Sequence, residues 1–513
     1  MVHSWKYDRA KNAIDKRIEN VKDVTIVDWT REKSLESIPT NKAYRMDAVH
    51  LYVDIMNMRG ILNSTDVEGV TCHRRTLRFL NLHYRAVERI LSDAGALRVD
   101  FHNQRLHAVI YKPYDDEGGR VNKAVAIAQL ISDVLAETGE EDEQIPDAEV
   151  RIGIDTGLAL VVNNGRNGYR EPLFLGSPAN KAAKLSSNGT ALGIFLTNDA
   201  RRAIGLKELA NDQVSKTPLG AAEVEACQEE AALDVNKDSI ITSWKQDNKN
   251  SPIGSFEFSR STPPLRNLDI VSLSPGNSRR MGTASIYADI DNFTAYVDAH
   301  IDDDEEAKDV VRCLHVIRAE LDRVLSADFG GRRIRFIGDC VHGHLLEGTA
   351  YETDVEGSVS TATLCAGALR SSFNLALERL RSNGVDTDDL GLAIGFDFGP
   401  TAISRLGMRG SRVRCAIGRV VLGSEDEQKR CSGEETAIGM VAYDIASDAV
   451  RELFGESRSI SGLTYDDAVQ SLTADGDATA KATLVAAYTI TSPAVARAAE
   501  TPFRPYCAGA NSE

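Results

Sequence analysis

The chain has 513 residues, 42% of them hydrophobic, which is enough for two or three domains that each bury a core without staples. A net charge of −17 and a pI near 5.2 argue against a surface that wraps nucleic acid or sits on an anionic membrane, since both need basic surface. Eight cysteines without CxxC or zinc spacing fit reduced thiols, and with no charged-then-apolar leader and no long apolar run they point to a cytoplasmic protein off the membrane.

Residues 1–44 are polar and weakly periodic and read as an arm. From 45 to 258 and again from 281 to 490 the chain repeats one order of landmarks, the mark of a duplicated domain. Residues 259–280, broken by Pro263, Pro264, Pro275 and Gly276, read as a linker, and 491–513 as a tail. Each repeat opens with an apolar β-rich run that ends on an acid, AVHLYVDI at Asp54 and TASIYADI at Asp289. Amphipathic helices follow, through Leu77, Leu80, Tyr84, Val87, Ile90 and Leu91 and through Val310, Leu314, Ile317, Leu321, Val324 and Leu325. Both stop at a glycine, Gly95 and Gly330, before a short hairpin. A second helix, a strand with a tight turn, another strand and a further helix complete each unit. This order predicts an α/β fold, an α+β sandwich with one mixed sheet and helices on one face of each domain. Acidic runs at Glu140–Glu143 and Asp302–Glu306 read as solvated loops or helix N-termini.

The repeats diverge where chemistry would occur. In the second, Asp289 at a strand end and Asp339 in the next hairpin place two carboxylates at one rim, a donor set for Mg²⁺ or Mn²⁺ holding phosphate oxygens. In the first, Gln104 stands where Asp339 stands in the second, and it brings no negative oxygen. A turn cap is the structural alternative for either acid alone. In the first repeat LGSPANKAAK puts Asn180 and Lys184 at i, i+4 on one helix face; the matched positions of the second are Leu422 and Asp426.

The motifs YADIDNFT and RFIGDCV, with their spacing across both repeats, resemble the catalytic domains of class III nucleotidyl cyclases. The resemblance implies two tandem domains paired head to tail, as a monomeric pseudodimer or in a homodimer, and two metal ions at Asp289, Ile290 and Asp339. It implies that Asn180 orients the ribose and that Lys184, where the family has Arg, stabilises charge on the α-phosphate as a point charge rather than a planar fork. A helix cap and a solvated lysine are the alternatives. One intact site and one dead one would result.

The base-reading positions implied by the resemblance are Asp100 and Leu173, which match neither the adenine nor the guanine pair of the family. Aspartate accepts only, which favours a base edge with N–H, such as uracil N3; Asp100 as a turn residue is the other reading. The chain is thus similar to the pyrimidine cyclases of bacterial anti-phage systems, which implies UTP as substrate, a cyclic nucleotide product that acts on a separate effector protein, and no nucleic-acid or membrane partner. CTP, a purine triphosphate, or a non-catalytic nucleotide-binding role are the competing readings. Arg409, Arg412 and Arg414, with Lys245 and Lys249, are candidate triphosphate cations, against a reading as solvated surface.

Overall fold

The computed structural model describes residues 3–140, 145–163 and 172–490, so Glu141–Glu143 and the tail at 491–513 lie outside the described residues. The first half opens with helix α1 (Tyr7–Val21) and strand β1 (Thr25–Asp28), which pairs in parallel with the long β2 (Lys42–Ile55). Next come α2 (Met58–Leu62), α3 (Val70–Asp93), the hairpin β3 (Leu97–His102) and β4 (Arg105–Ile110), and α4 (Glu117–Glu140). A second hairpin, β5 (Val150–Asn163) and β6 (Pro172–Leu175), leads to α5 (Ser177–Ser187) and β7 (Gly193–Leu196). Three outer helices follow, α6 (Asn198–Ala203), α7 (Ala221–Ala231) and α8 (Lys237–Asn250). The strands run β3-β4-β2-β5-β6, with β7 added parallel to β5.

The second half rebuilds this plan. After β8 (Phe258–Ser259) come β9 (Ser278–Asp291), α9 (Phe293–His300), α10 (Asp304–Arg323), and the hairpin β10 (Arg332–Ile337) and β11 (Cys340–Leu345). Two short strands, β12 (Glu347–Gly348) and β13 (Thr353–Asp354), precede α11 (Val355–Ser382). The long hairpin β14 (Gly391–Leu406) and β15 (Val413–Ile417) leads to α12 (Arg419–Lys429) and β16 (Glu435–Ile438). Then come α13 (Met440–Asp444), α14 (Asp448–Phe454), β17 (Ser459–Ser461), α15 (Tyr465–Ala474) and α16 (Ala478–Ile490). Its main strand order is β10-β11-β9-β14-β16-β17. The 430–480 segment thus supplies an edge of this sheet, and α15 and α16 lie on α11.

Local physics accounts for the match. The apolar stripes of α3 and α10 are buried, and each helix region ends at a glycine in the left-handed region, Gly95 (φ 63°) and Gly330 (φ 65°). The hairpin turns also correspond, with Asn103 (φ 47°) and Gly338 (φ 60°) at the same position. On both sheets a tyrosine two residues before the strand-end acid stacks on a histidine, Tyr52 on His107 and Tyr287 on His342, with ring centroids 4.1 Å apart in each. Asp303 caps α10 through the backbone N–H groups of Glu305 and Glu306, so this acidic run is a helix N-terminus.

The halves share their cores. Leu160, Val162, Leu173 and Leu175 of the β5–β6 hairpin pack with Ile286, Phe293 and Val310 of the second half. Reciprocally, Ala402, Leu406, Val413 and Ile417 of β14–β15 pack with Leu77, Tyr84 and Phe101 of the first. The arm crosses too, since Ala10 and Ile14 of α1 sit in the core of the second half. Segment 259–280 is a packed strap rather than an open linker: its prolines break regular structure, but Leu265, Ile270 and Leu273 are buried against Ile334 and Ile403. No helix among the described residues is long and apolar enough to cross a membrane. We expect Leu160→Ala to cost about 2–5 kcal/mol in urea unfolding, as cavities in close-packed cores do, and to shift a single transition for both halves; loss of the second half alone would contradict the shared core.

Candidate active site between the halves

The second half places its two acids through sheet register. Val341 pairs with Ala288 across β9 and β11, so Asp289 and the turn residue Asp339 emerge at one rim. Both carboxyls hold their protons more tightly than usual. Burial and then Asp291 push Asp289 up to about 7, and burial and then Asp289 push Asp339 well above the carboxylate range. Asp291 turns elsewhere, accepting the backbone N–H of Asn292 at 3.0 Å and of Gly433 at 2.9 Å. The Ile290 side chain is in the core, which leaves only its main chain for the rim. Gln428 of α12 reaches Asp289, Nε2 to Oδ2 3.4 Å. Two close carboxylates that repel one another when ionised are a donor set that a divalent cation fits.

The first half packs α5 against the second half. Gly176 (φ 119°) turns the chain out of β6, and the helix docks on α9, which begins just after Asp289. Asn180 donates from Nδ2 to Thr294 Oγ1 at 2.7 Å. The Asp298 carboxylate accepts the backbone N–H of Ser177, and its charge faces Lys181 and Lys184. Lys184 is exposed. The structure therefore gathers Asn180 and Lys184 on a helix that packs against the one following Asp289.

The reciprocal corner has other chemistry. Leu422 packs with Leu62 and Cys72, and Asp426 pairs with Arg59 at 2.5 Å. Asp54 is buried and faces Arg105, whose Nε lies 3.1 Å from Asp54 Oδ2 and whose Nη1 lies 2.6 Å from Glu425 Oε1. Burial would raise the proton affinity of Glu425, but Arg105 and Lys429 hold it down at about 2. Gln104 is buried beside this cluster with Oε1 unpartnered.

The remaining sequence candidates are dispersed. Asp100 forms an ion pair with Arg335 of the second half, Oδ1 to Nη2 2.8 Å, and Arg335 also donates to the Phe101 carbonyl. Leu173 pairs with Val162 inside β5–β6 and offers only apolar surface. Arg409 and Arg412 lie on the loop between β14 and β15. They sit past Leu406 at the far end of β14, whereas Ala393, near its start, is the residue opposite Asp289; at ~3.3 Å per residue Ala393 and Leu406 are roughly 40 Å apart along the strand. Their loop docks on α3, through Ser411 to Glu88 at 2.6 Å. Arg414 donates to the Ile334 carbonyl, and Lys245 and Lys249 lie on α8, which packs on α3 and α4. Sequence reasoning missed Thr294, Asp298, Gln428 and Lys429; the last two lie beyond Leu422 and Asp426 on a helix already singled out.

Two halves with cross-packed hairpins, an acid pair at one rim and a helix from the other half against the helix that follows it define a class III nucleotidyl cyclase-like fold. A crystal structure of a class III adenylyl cyclase-like ATP-binding protein from Pseudomonas aeruginosa superimposes with a TM-score of 0.89 at 62% identity, covering 92% of this chain and 100% of that one. No family model matches the chain. It is 60% identical over 99% of its length to a uridylate cyclase of Pseudomonas aeruginosa, covering 98% of that protein. It is 40% identical over 82% to a uridylate cyclase of a Rhizobium species, covering 83% of it. The chain belongs to the uridylate cyclase family, a family of cyclising lyases.

A carboxyl whose proton affinity is raised on folding binds more protons folded than unfolded, so the Asp289 contribution to stability falls as pH rises from about 4 to about 7. Metal-free Asp289→Asn protein should therefore melt higher than the native protein at pH 8. Added Mn²⁺ should raise the melting temperature of the native protein more at pH 8 than at pH 6 and leave that of the variant unmoved. A metal response in the variant equal to that of the native protein would contradict the assignment.

Proposed function

We propose that the protein converts UTP to 3′,5′-cyclic UMP and pyrophosphate at a single site composed from both halves. The observation that carries this reading is the docking of Asn180 on Thr294, in the helix that follows Asp289 of the acid pair that only the second half retains. The ribose 3′ oxygen attacks the α-phosphorus, the bond to the β-phosphate oxygen breaks, and the 3′ proton leaves to solvent. Asn180 orients the ribose, and Lys184 offsets charge growing on the α-phosphate oxygens. Asp289, Asp339 and the Ile290 main chain would hold two Mg²⁺ or Mn²⁺ ions, which when bound neutralise the triphosphate and favour ionisation of the 3′ hydroxyl.

For the base, Asp100 supplies an acceptor and Arg335 beside it supplies donors, a combination that suits the imide edge of uracil. The uridylate cyclases at 60% and 40% identity support the same choice. The ATP-binding description of the solved relative makes ATP the substrate to exclude. In this reading the cyclic product signals to a separate effector protein in anti-phage defence in the cytoplasm, and the interlocked halves support a site completed within one chain.

Incubation with each of the four ribonucleoside triphosphates and Mn²⁺, with products separated by chromatography, should give cyclic UMP as the main product. Cyclic AMP as the main product, or no turnover under any condition, would overturn the reading. Asp289→Ala and Asp339→Ala should each abolish turnover, Lys184→Ala should lower it by about 10²-fold, a typical loss for a transition-state charge partner, and Asp54→Ala should leave most of it. Equal loss from Asp54→Ala and Asp289→Ala would contradict a single site. Asp100→Asn should lower the preference for UTP over CTP; an unchanged ratio would remove Asp100 from base recognition.

A further inference from the structure

The first half keeps Asp54 at the position that Asp289 holds in the second, and register sets Arg105 directly across from it. The corresponding neighbour of Asp289 is Cys340, so the two corners differ by a cation that belongs to the chain. Arg105 bridges Asp54 at 3.1 Å and Glu425 of the other half at 2.6 Å, and Lys429 adds a second contact to Glu425 at 2.8 Å. Asp54 is 5% and Glu425 7% exposed, so the bridged acids are withdrawn from water. Two carboxylates met by a guanidinium and an ammonium leave the cluster neutral, whereas the matching position beside Asp289 holds the uncharged Cys340. Gln428 lies three residues beyond Glu425, on the same side of α12, and donates to Asp289.

We infer that Arg105 is a built-in cation filling the metal position of the first half's corner, and that by gripping Glu425 it holds α12 so that Gln428 stays against Asp289 in the working site. The guanidinium stays charged across the working pH range and its planar fork can meet two acids at once, which a freely exchanging ion does only while bound. The degenerate corner is then a permanent bolt, and Arg105 is a positioning residue for the opposite corner. The effect on turnover rests on the cyclase reading above; the metal stoichiometry does not.

The test uses the full chain and Mn²⁺ alone, with bound metal counted by electron paramagnetic resonance and no nucleotide present. Asp54→Ala should bind as much Mn²⁺ as the native protein, and Asp289→Ala should lose it. Replacing Gln104 and Arg105 together by Asp and Cys, the residues found at 339 and 340, should add a second Mn²⁺ locus that Asp54→Ala removes. Loss of Mn²⁺ from Asp54→Ala in the otherwise native chain, or a folded double variant that gains none, would overturn the inference; if the double variant does not fold, the Asp54→Ala comparison decides alone. For positioning, Arg105→Gln should lower kcat about tenfold with KM for UTP within about twofold, the signature of disturbed alignment, and should weaken Mn²⁺ binding at the Asp289 corner. Arg105→Lys should recover part of both. Unchanged kcat and Mn²⁺ affinity in Arg105→Gln would overturn the positioning role, and weakened Mn²⁺ binding without any turnover in the native protein would retain it while removing the cyclase reading.

Discussion

The proposed site depends on the docking of α5 from one half on α9 from the other. Neither half supplies both an acid pair and the Asn180–Lys184 face, so any geometry that serves chemistry must be set where the halves meet. Two polar contacts tie it, Asn180 on Thr294 and the Asp298 carboxylate on the α5 N-terminus, where the helix dipole favours an acid. Polar contacts of this kind contribute about 1 kcal/mol each, too little to hold two domains in register. The exchanged hairpins supply the rest, because each sends leucines, valines or isoleucines into the other half's core and so fixes the helices that follow them.

Duplication explains why the two corners could diverge. With one composite site, as proposed, the other corner is free to trade function for cohesion. Leu422 became part of an apolar contact, Asp426 an ion-pair partner of Arg59, and Asp54 and Glu425 the two ends of an arginine bridge. In the working corner the trade runs the other way. Asp289 and Asp339 are kept close despite their repulsion, a local cost in stability that suits a place where cations are to bind.

Much of this was legible in the sequence because it is written in local patterns. The helical stripes, the glycine stops and the strand-end acids each follow from short-range physics, and repetition of the same landmarks in the same order exposed the duplication. The i, i+4 pair Asn180 and Lys184 was legible for the same reason. What sequence could not show was pairing between halves. Arg105 with Glu425, Asp100 with Arg335 and Asn180 with Thr294 join residues far apart in the chain, and no periodicity marks them. The arginines of the β14–β15 loop show the same limit: nearness in sequence to α12 hides the length of a hairpin that carries them to the far end of the sheet. The segment at 259–280 looked like a linker because prolines break its periodicity, although its buried leucines and isoleucine give it a place in the core.

The most direct test of a site shared between the halves is a crystal structure with Mn²⁺ and a UTP analogue whose α–β bridge cannot be cleaved. The account predicts anomalous density for manganese at Asp289 and Asp339, with the ribose at Asn180 and the α-phosphate at Lys184. Manganese at Asp54, or a nucleotide bound wholly within one half, would contradict it.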